Sequence, residues 1–381
     1  MFTAMDRRTF VKATGIAGIA GLAGCSGGPS GGAGNTETET ESDNSGDGME
    51  VTTATETTER SPAANIGMVY ATGGLGDGSF NDQAQSGAIQ AEEDFGIVYN
   101  EAQPDEVSQF SNFQQQFAQS TDPDYDLVCC IGFLQADSLA ETAGSFPDQD
   151  FMIADSVVES PNVVSYTFKE HEGSYLAGLM ASLLTTQDFS AGTGSTVSDS
   201  TSVGFVGGVE SDLIKRFQAG FEAGVAAGSD NIDVSTNYTG SFNDPAAGRE
   251  AAAAMYNGGA DIIFHASGNT GTGVFQAAQE AGRFAIGVDR AQSITRDSYA
   301  DIILGSMIKR VDTPVYNAIA AKVNGEFTGG ESLSLGLAEE GVGLIYGDSL
   351  GSKIPADVAD EVSTARDNII SGDISVPTSP E

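Results

Sequence analysis

The sequence has no tryptophan, only two histidines and three cysteines, and 16 Lys and Arg against 54 Asp and Glu. Each shortage excludes something. Phosphate backbones are bound by Lys and Arg, so a formal charge of −38 rules out nucleic acid as a partner. Cys25 lies near the amino terminus, and Cys129 and Cys130 are adjacent in an apolar run. That spacing excludes a disulfide framework and predicts buried free thiols. There is no Cys-x-x-Cys and the histidines are isolated, so neither a metal site nor a cofactor is expected. No nucleophile elbow and no supported Ser/His/Asp order occurs, which argues against an enzyme.

The acidic residues are spread along the chain. Charge of this size repels itself unless salt screens it, which predicts a protein working in concentrated salt. A metal-buffering surface is the competing explanation. Residues 1–25 read as a processing segment. Asp6-Arg-Arg-Thr-Phe-Val-Lys12 resembles a twin-arginine export signal, and Ala13 to Ala23 is an apolar stretch too short to span a bilayer. Leu22-Ala-Gly-Cys25 resembles a lipoprotein cleavage box, making Cys25 the lipidated residue that anchors the mature chain to the outer face of the cytoplasmic membrane. Residues 26–63 are Gly, Ser, Thr, Glu and Asp with almost no large apolar side chain. They cannot bury enough surface to offset their ordering entropy and are expected to form a disordered tether.

The folded part opens with Ile66 to Tyr70, an apolar run of strand length, followed by Gly73-Gly-Leu-Gly-Asp-Gly-Ser-Phe80. Glycines there allow a tight turn and close approach to a ligand. Ser79 is placed as an N-cap, and Ala84, Ala88, Ala91 and Phe95 recur at helical spacing. Neither a dinucleotide nor a Walker glycine pattern is present. Strands and helices then alternate through Asp126–Ile131, Phe151–Ala154 and Val163–Tyr166, with Gly132-Phe133 ending the first of these. Leu176, Leu179 and Leu183 give the next helix an apolar stripe, and residues 188–202 read as a polar surface insertion. The pattern restarts with Ser202–Val206, the helical stripe Leu213, Phe217, Phe221, Val225, and strands Val234–Tyr238, Asp261–His265 and Phe284–Val288, the last stopping at Asp289.

Alternation predicts parallel sheets, and the restart predicts two of them, facing across a cleft that closes on a ligand. Expected boundaries are 64–168 with 291–330 for one lobe, 169–290 with 331–372 for the other, and a tail at 373–381. Hinges are expected near 167–170, 290–293 and 328–334. In such sheets ligands bind at the carboxyl ends of strands, which selects Phe80, Phe133 and Asp289. An ionised Asp only accepts hydrogen bonds and so suits vicinal hydroxyls. Alternatives stand beside these: Asp289 as the cap of a short helix, Asp77 as a turn residue, Phe264 as core, Lys309 as a solvated lysine.

Several segments together resemble the basic membrane protein family, the purine-nucleoside-receptor type of ABC transporter substrate-binding lipoproteins. They are Gly73 to Asn81, Asp126 to Asp137, Glu170-His-Glu-Gly-Ser-Tyr-Leu-Ala-Gly178, Val203-Gly-Phe-Val-Gly-Gly208, Phe217 to Gly224, Tyr238-Thr-Gly-Ser-Phe242, Gly259 through Gly273, Ile286-Gly-Val-Asp289 and Ser306-Met-Ile-Lys309. The resemblance implies a type I periplasmic-binding fold: α/β, two doubly wound parallel-sheet lobes joined by hinge crossovers. It implies a non-enzymatic, monomeric receptor that serves a permease and an ATPase and holds a nucleoside between aromatic rings. On that basis Phe80 is the first-lobe ring, with Ser79 and Asn81 as polar contacts, and Phe264 or His265 is the second ring. Asp289 takes the ribose hydroxyls with Lys309 nearby, and Gly268 and Gly271 let backbone amides approach. One departure is Ala71, where many members carry Asp; Asp137 and Asp77 are the candidates to replace it. A sugar or other small metabolite is the alternative ligand, and a ligand-sensing surface receptor the alternative function.

Overall fold

Parallel strands need long crossovers, and this chain places a helix after most of its strands. The computed structural model describes residues 61–197 and 200–380; the leader, Cys25 and nearly all of the expected tether lie outside the described residues. The chain begins β1 (Asn65–Val69), α1 (Phe80–Phe95), β2 (Val98–Ala102), α2 (Phe110–Ala118), β3 (Leu127–Ile131), α3 (Ala136–Ser145), β4 (Asp150–Ala154) and β5 (Val163–Phe168). It continues with α4 (Glu170–Thr185), a small hairpin of β6 (Ser190–Ala191) and β7 (Gly194–Ser195), β8 (Ser202–Gly207), α5 (Asp212–Gly228), β9 (Asp233–Tyr238) and α6 (Pro245–Asn257). Then follow β10 (Ile262–Ala266), α7 (Gly271–Ala281), β11 (Phe284–Asp289), α8 (Gln292–Thr295), β12 (Ile303–Lys309), α9 (Asp312–Asn324), β13 (Ser332–Leu335), β14 (Val342–Tyr346) and α10 (Ala356–Ser371).

Two six-stranded sheets result, in the orders β13-β5-β4-β3-β1-β2 and β14-β12-β11-β10-β8-β9. The orders correspond strand for strand, so the second half repeats the first. Within these two sheets only β14 runs antiparallel, against β12. Central strands such as β3, β10 and β11 are buried at every residue, as parallel strands covered on both faces must be.

Two boundaries differ from expectation. β12 pairs with β11 in the second sheet, and β13 pairs with β5 in the first. The crossovers therefore fall at Lys169, at Arg310–Val311 and at residues 336–341, and the expected hinge at 290–293 is instead the turn into α8. An apolar run signals burial and does not name the sheet that buries it. The three crossovers are tied together: Lys169 N donates to Leu335 O and Arg310 N to Gly341 O, each at 2.9 Å.

The helix α4 exceeds its expected stripe and is buried on nearly every side. It packs on the second sheet beside α5, and glycines set how close the two helices come. A Cβ on Gly178 would sit 2.1 Å from Phe221 O, and one on Gly224 2.0 Å from Tyr175 O. A Cβ on Gly220 would lie 2.2 Å from His171 O, so close backbone contact also fixes the start of α4, beside the buried Glu170.

Candidate functional site

The glycine loop after β1 is held by two carboxylates. Asp77 accepts from the amides of Ser79 and Asn81 at 2.9 Å and of Asp82 at 3.2 Å. Asp82 in turn accepts from the amides of Gly76 and Gly78 at 2.7 and 2.8 Å. Asp77 thus fills the turn alternative, its oxygens taken up by the amides that open α1 and by the Asn81 side chain. Burial raises its pKa against the pull of those amides. Ser79 is not a side-chain cap: its hydroxyl donates across the cleft to Asp289 Oδ2. Asn81 is also engaged, accepting from Ala71 N at 2.9 Å and donating to Asp77 at 3.2 Å. The amide that a ligand would find at Ala71 is therefore already bonded.

Across the cleft the ends of β11 and β12 bring Asp289 and Lys309 together. Lys309 is almost fully buried, with Nζ 2.6 Å from Asp155 Oδ1 and 3.2 Å from Glu170 Oε1. Arg216 Nε reaches Glu170 at 3.1 Å. A buried ammonium survives only among opposite charges. Burial disfavours the charge of Lys309, but Asp155, Glu170 and Asp289 outweigh it and hold its pKa above the ordinary value. Two cations thus face three carboxylates. Asp289 is the carboxyl left in excess: burial pushes it up to about 7, against the opposing pull of Lys309 and the Ser79 hydroxyl. Sequence reasoning missed Asp155 and Glu170. The signal for Asp155 was present, since Asp155 follows Ile-Ala154 directly after β4 much as Asp289 follows Gly-Val288 at the end of β11.

Asp77, Asn81, Asp155, Asp289 and Lys309 line one cavity, whose empty volume is ≈ 670 Å³ with its open mouth included. Its polar end holds Asp155, Asp289 and Lys309; its middle is walled by Phe80, Phe133, Phe217 and Phe242. The Lys309 ammonium lies 5.2 Å from the Phe80 ring centre and 5.5 Å from that of Phe217. Of the expected site residues, Asp77, Phe80, Asn81, Phe133, Gly268, Asp289 and Lys309 line this cavity, and Ser79 touches it through Asp289.

Phe264, Gly271 and Asp137 do not, nor does His265, the alternative to Phe264. Phe264 is fully buried among Phe205, Phe217 and Phe221, two residues short of the end of β10, facing the helices. Phe217 and Phe242 are the second-lobe rings that line the cavity instead. His265, the alternative ring, points to the opposite face, where burial lowers its pKa to about 4. Gly271 makes room for that imidazole: a Cβ there would lie 2.0 Å from His265 Cε1. Asp137 is exposed in the first turn of α3, carried away by the 3₁₀ turn Phe133–Gln135. Asp137 is thus away from the cavity beside Ala71, while Asp77 lines it with its oxygens on the amides of the glycine loop.

The lobes touch through the glycine loop and α8. Gln292 Nε2 and Thr295 Oγ1 donate to Gly78 O at 3.3 and 3.2 Å, and Arg296 Nη2 to Gly76 O at 3.1 Å. Gln292 is held in turn by Val288 N and by His265 Nε2, at 2.8 and 2.9 Å.

Residues 64–379 match the family model described as Bmp, ABC transporter substrate-binding protein PnrA-like. The chain is similar to the CD4+ T-cell-stimulating antigen of Listeria monocytogenes, with 34% identity over 83% of this chain and 88% of the relative. It is similar to the ABC transporter nucleoside-binding protein BmpA of Lactococcus lactis, with 32% identity over 80% and 86%. An uncharacterized lipoprotein of Pyrococcus abyssi shares 32% identity over 82% and 76%. Among solved structures, an ABC transporter solute-binding protein from Aeropyrum pernix superposes with a TM-score of 0.74 at 27% identity, covering 84% of this chain and 94% of that one.

Proposed function

The chain belongs to the Bmp family of PnrA-like ABC transporter substrate-binding proteins, and from that premise we propose that its ligand is a nucleoside, a purine nucleoside by the family resemblance. The observation that carries this is the division of one cavity into two chemistries. Aromatic rings wall the middle, and Lys309 with Asp155 and Asp289 forms the end. A flat base suits the rings, since stacking accepts any π-face. Vicinal hydroxyls suit an alternation of carboxylate acceptors and an ammonium donor. The surplus of carboxylates over cations at that end favours an uncharged ribose over a phosphorylated one. The BmpA relative of Lactococcus lactis, described as nucleoside-binding, supports the reading.

The protein captures its ligand without turnover and delivers it, as a monomer, to a permease driven by an ATPase. It works outside the cytoplasmic membrane, held by lipid on Cys25 after twin-arginine export. The Arg7-Arg8 and Leu22-Ala-Gly-Cys25 motifs support this, as does a relative described as a lipoprotein. Calorimetric titration of ligand-stripped protein in high salt, with nucleosides and with free sugars, tests the ligand. Binding of adenosine or guanosine but not ribose is expected; binding of free sugars without nucleosides overturns it.

A further inference from the structure

The cleft holds two neighbouring cavities. Strand order gives the cleft a direction: β5 and β12, next to the hinge, lie toward one edge, and β2 and β9 form the other. The cavity described above draws its walls from the hinge side and the middle, with Asp155, Asp289 and Lys309 innermost. A second cavity, with an empty volume of ≈ 1000 Å³ including its open mouth, lies at the outer edge. Gln103 to Val107 after β2, Val209 after β8, and Gly240 to Asn243 after β9 line it. Thr72, Gly73, Leu134 and Phe242 line both cavities, so the two are at most one side chain apart. Phe133 and Phe242, edge to face with ring centres 6.4 Å apart, meet at the junction. Ala71, with only a methyl group, borders the inner cavity beside Gly132.

We infer that the site accepts nucleosides carrying a substituent on the outer edge of the base, with the substituent seated in the outer compartment. The inference rests on the nucleoside reading. With the ribose at Lys309, the far edge of the base faces Thr72, Leu134 and Phe242, where the second compartment begins. The outer lining includes Asp105 and Glu106 and no Lys or Arg, so an uncharged substituent suits it better than an acidic one. The ribose end has no such outlet, because Lys309, Asp155 and Glu170 close it.

Titration of the ligand-stripped protein with adenosine and with adenosine benzylated on its exocyclic amine tests this. The benzylated base is expected to bind within about fivefold of adenosine, and adenosine benzylated on the ribose 5′ oxygen about a hundredfold more weakly. Val107 lines the outer cavity alone and is 50% exposed. Val107→Trp fills that compartment and is expected to weaken the base-benzylated ligand about tenfold while leaving adenosine unchanged. If adenosine binds and its base-benzylated form is weaker by about a hundredfold, the inference is overturned while the nucleoside reading stands. If Val107→Trp leaves the benzylated base unaffected, the substituent lies elsewhere and the inference again falls. If no nucleoside binds, the underlying reading fails first.

Discussion

Asp155 and Asp289 occupy the same place in the two halves of the protein. They follow or end the fourth strand of each repeat, β4 and β11, and both have left-handed backbone, with φ of 71° and 64°. A non-glycine residue rarely holds that conformation, and such strain clusters where a site over-determines it. Both carboxylates act on Lys309, Asp155 by direct contact. The repeat thus places a carboxylate on each lobe and lets one ammonium, itself a strand end, join them across the cleft.

Lys309 is the centre of that arrangement. Lys309→Met keeps much of the volume but leaves Asp155 and Glu170 buried without their ammonium. Loss of about 3–5 kcal/mol of stability is expected, together with loss of ligand binding. Chemical denaturation checks the first; a denaturation midpoint equal to the parent's would show that the cluster is not held by charge.

Asp289 gives the protein a pH dependence with a definite sign. Its carboxyl is held up to about 7 in the folded state, from 3.8. Between those values the folded protein binds the proton more tightly than the unfolded chain. The stabilising contribution is full below 3.8 and is lost as pH rises through about 7. The parent should therefore lose stability relative to Asp289→Asn over that interval, measured by thermal melts at matched salt. Hydroxyls donating to Asp289 favour its ionised form. Ligand binding near pH 7 should accordingly release protons, seen as buffer-dependent heats that vanish in Asp289→Asn.

The two phenylalanines that the sequence offered as rings should separate cleanly. Phe80→Ala is expected to weaken nucleoside binding by about 1–3 kcal/mol, similarly for all bases, because stacking is lost. Phe264→Ala is expected to cost about 3–5 kcal/mol of stability, because it opens a cavity among Phe205, Phe217 and Phe221. Phe264→Leu, which fills most of the gap, should fold and bind almost as the parent does. A strong affinity loss in a folded Phe264→Leu protein would return that residue to the site.

With a formal charge of −38, the thermal midpoint should climb with salt. Screening shortens from about 10 Å at 0.1 M to about 3 Å at 1 M, which removes repulsion between the surface carboxylates. A midpoint that is flat from dilute buffer to molar KCl contradicts the expectation.

Membrane retention should depend on Cys25. Fractionation of cells expressing Cys25→Ser should move the protein from the membrane to the soluble fraction after a high-salt wash, since a stable anchor needs acyl chains. Retention of the variant on washed membranes would remove the lipid reading.

The sequence by itself determined what local physics controls. Alternating apolar runs and helical stripes specify parallel strands with crossover helices, and the restart at Ser202 marks the repeat. The glycine loop and the polar residues that halt β11 and β12 mark strand ends, and strand ends put Phe80, Asp289 and Lys309 at the cleft. The tertiary structure decided pairings. Burial of β12 and β13 does not tell which sheet receives them, because the same apolar run fits either; the packing against β11 and β5 chose. It also chose which ring faces the ligand. Phe264 is inside because α4 and α5 cover its side of β10, and that covering brings Phe217 to the cavity instead. The ion cluster was the least visible of all. Glu170 and Lys309 are far apart in the chain, and their attraction exists only where the folded second lobe buries them and brings them to 3.2 Å.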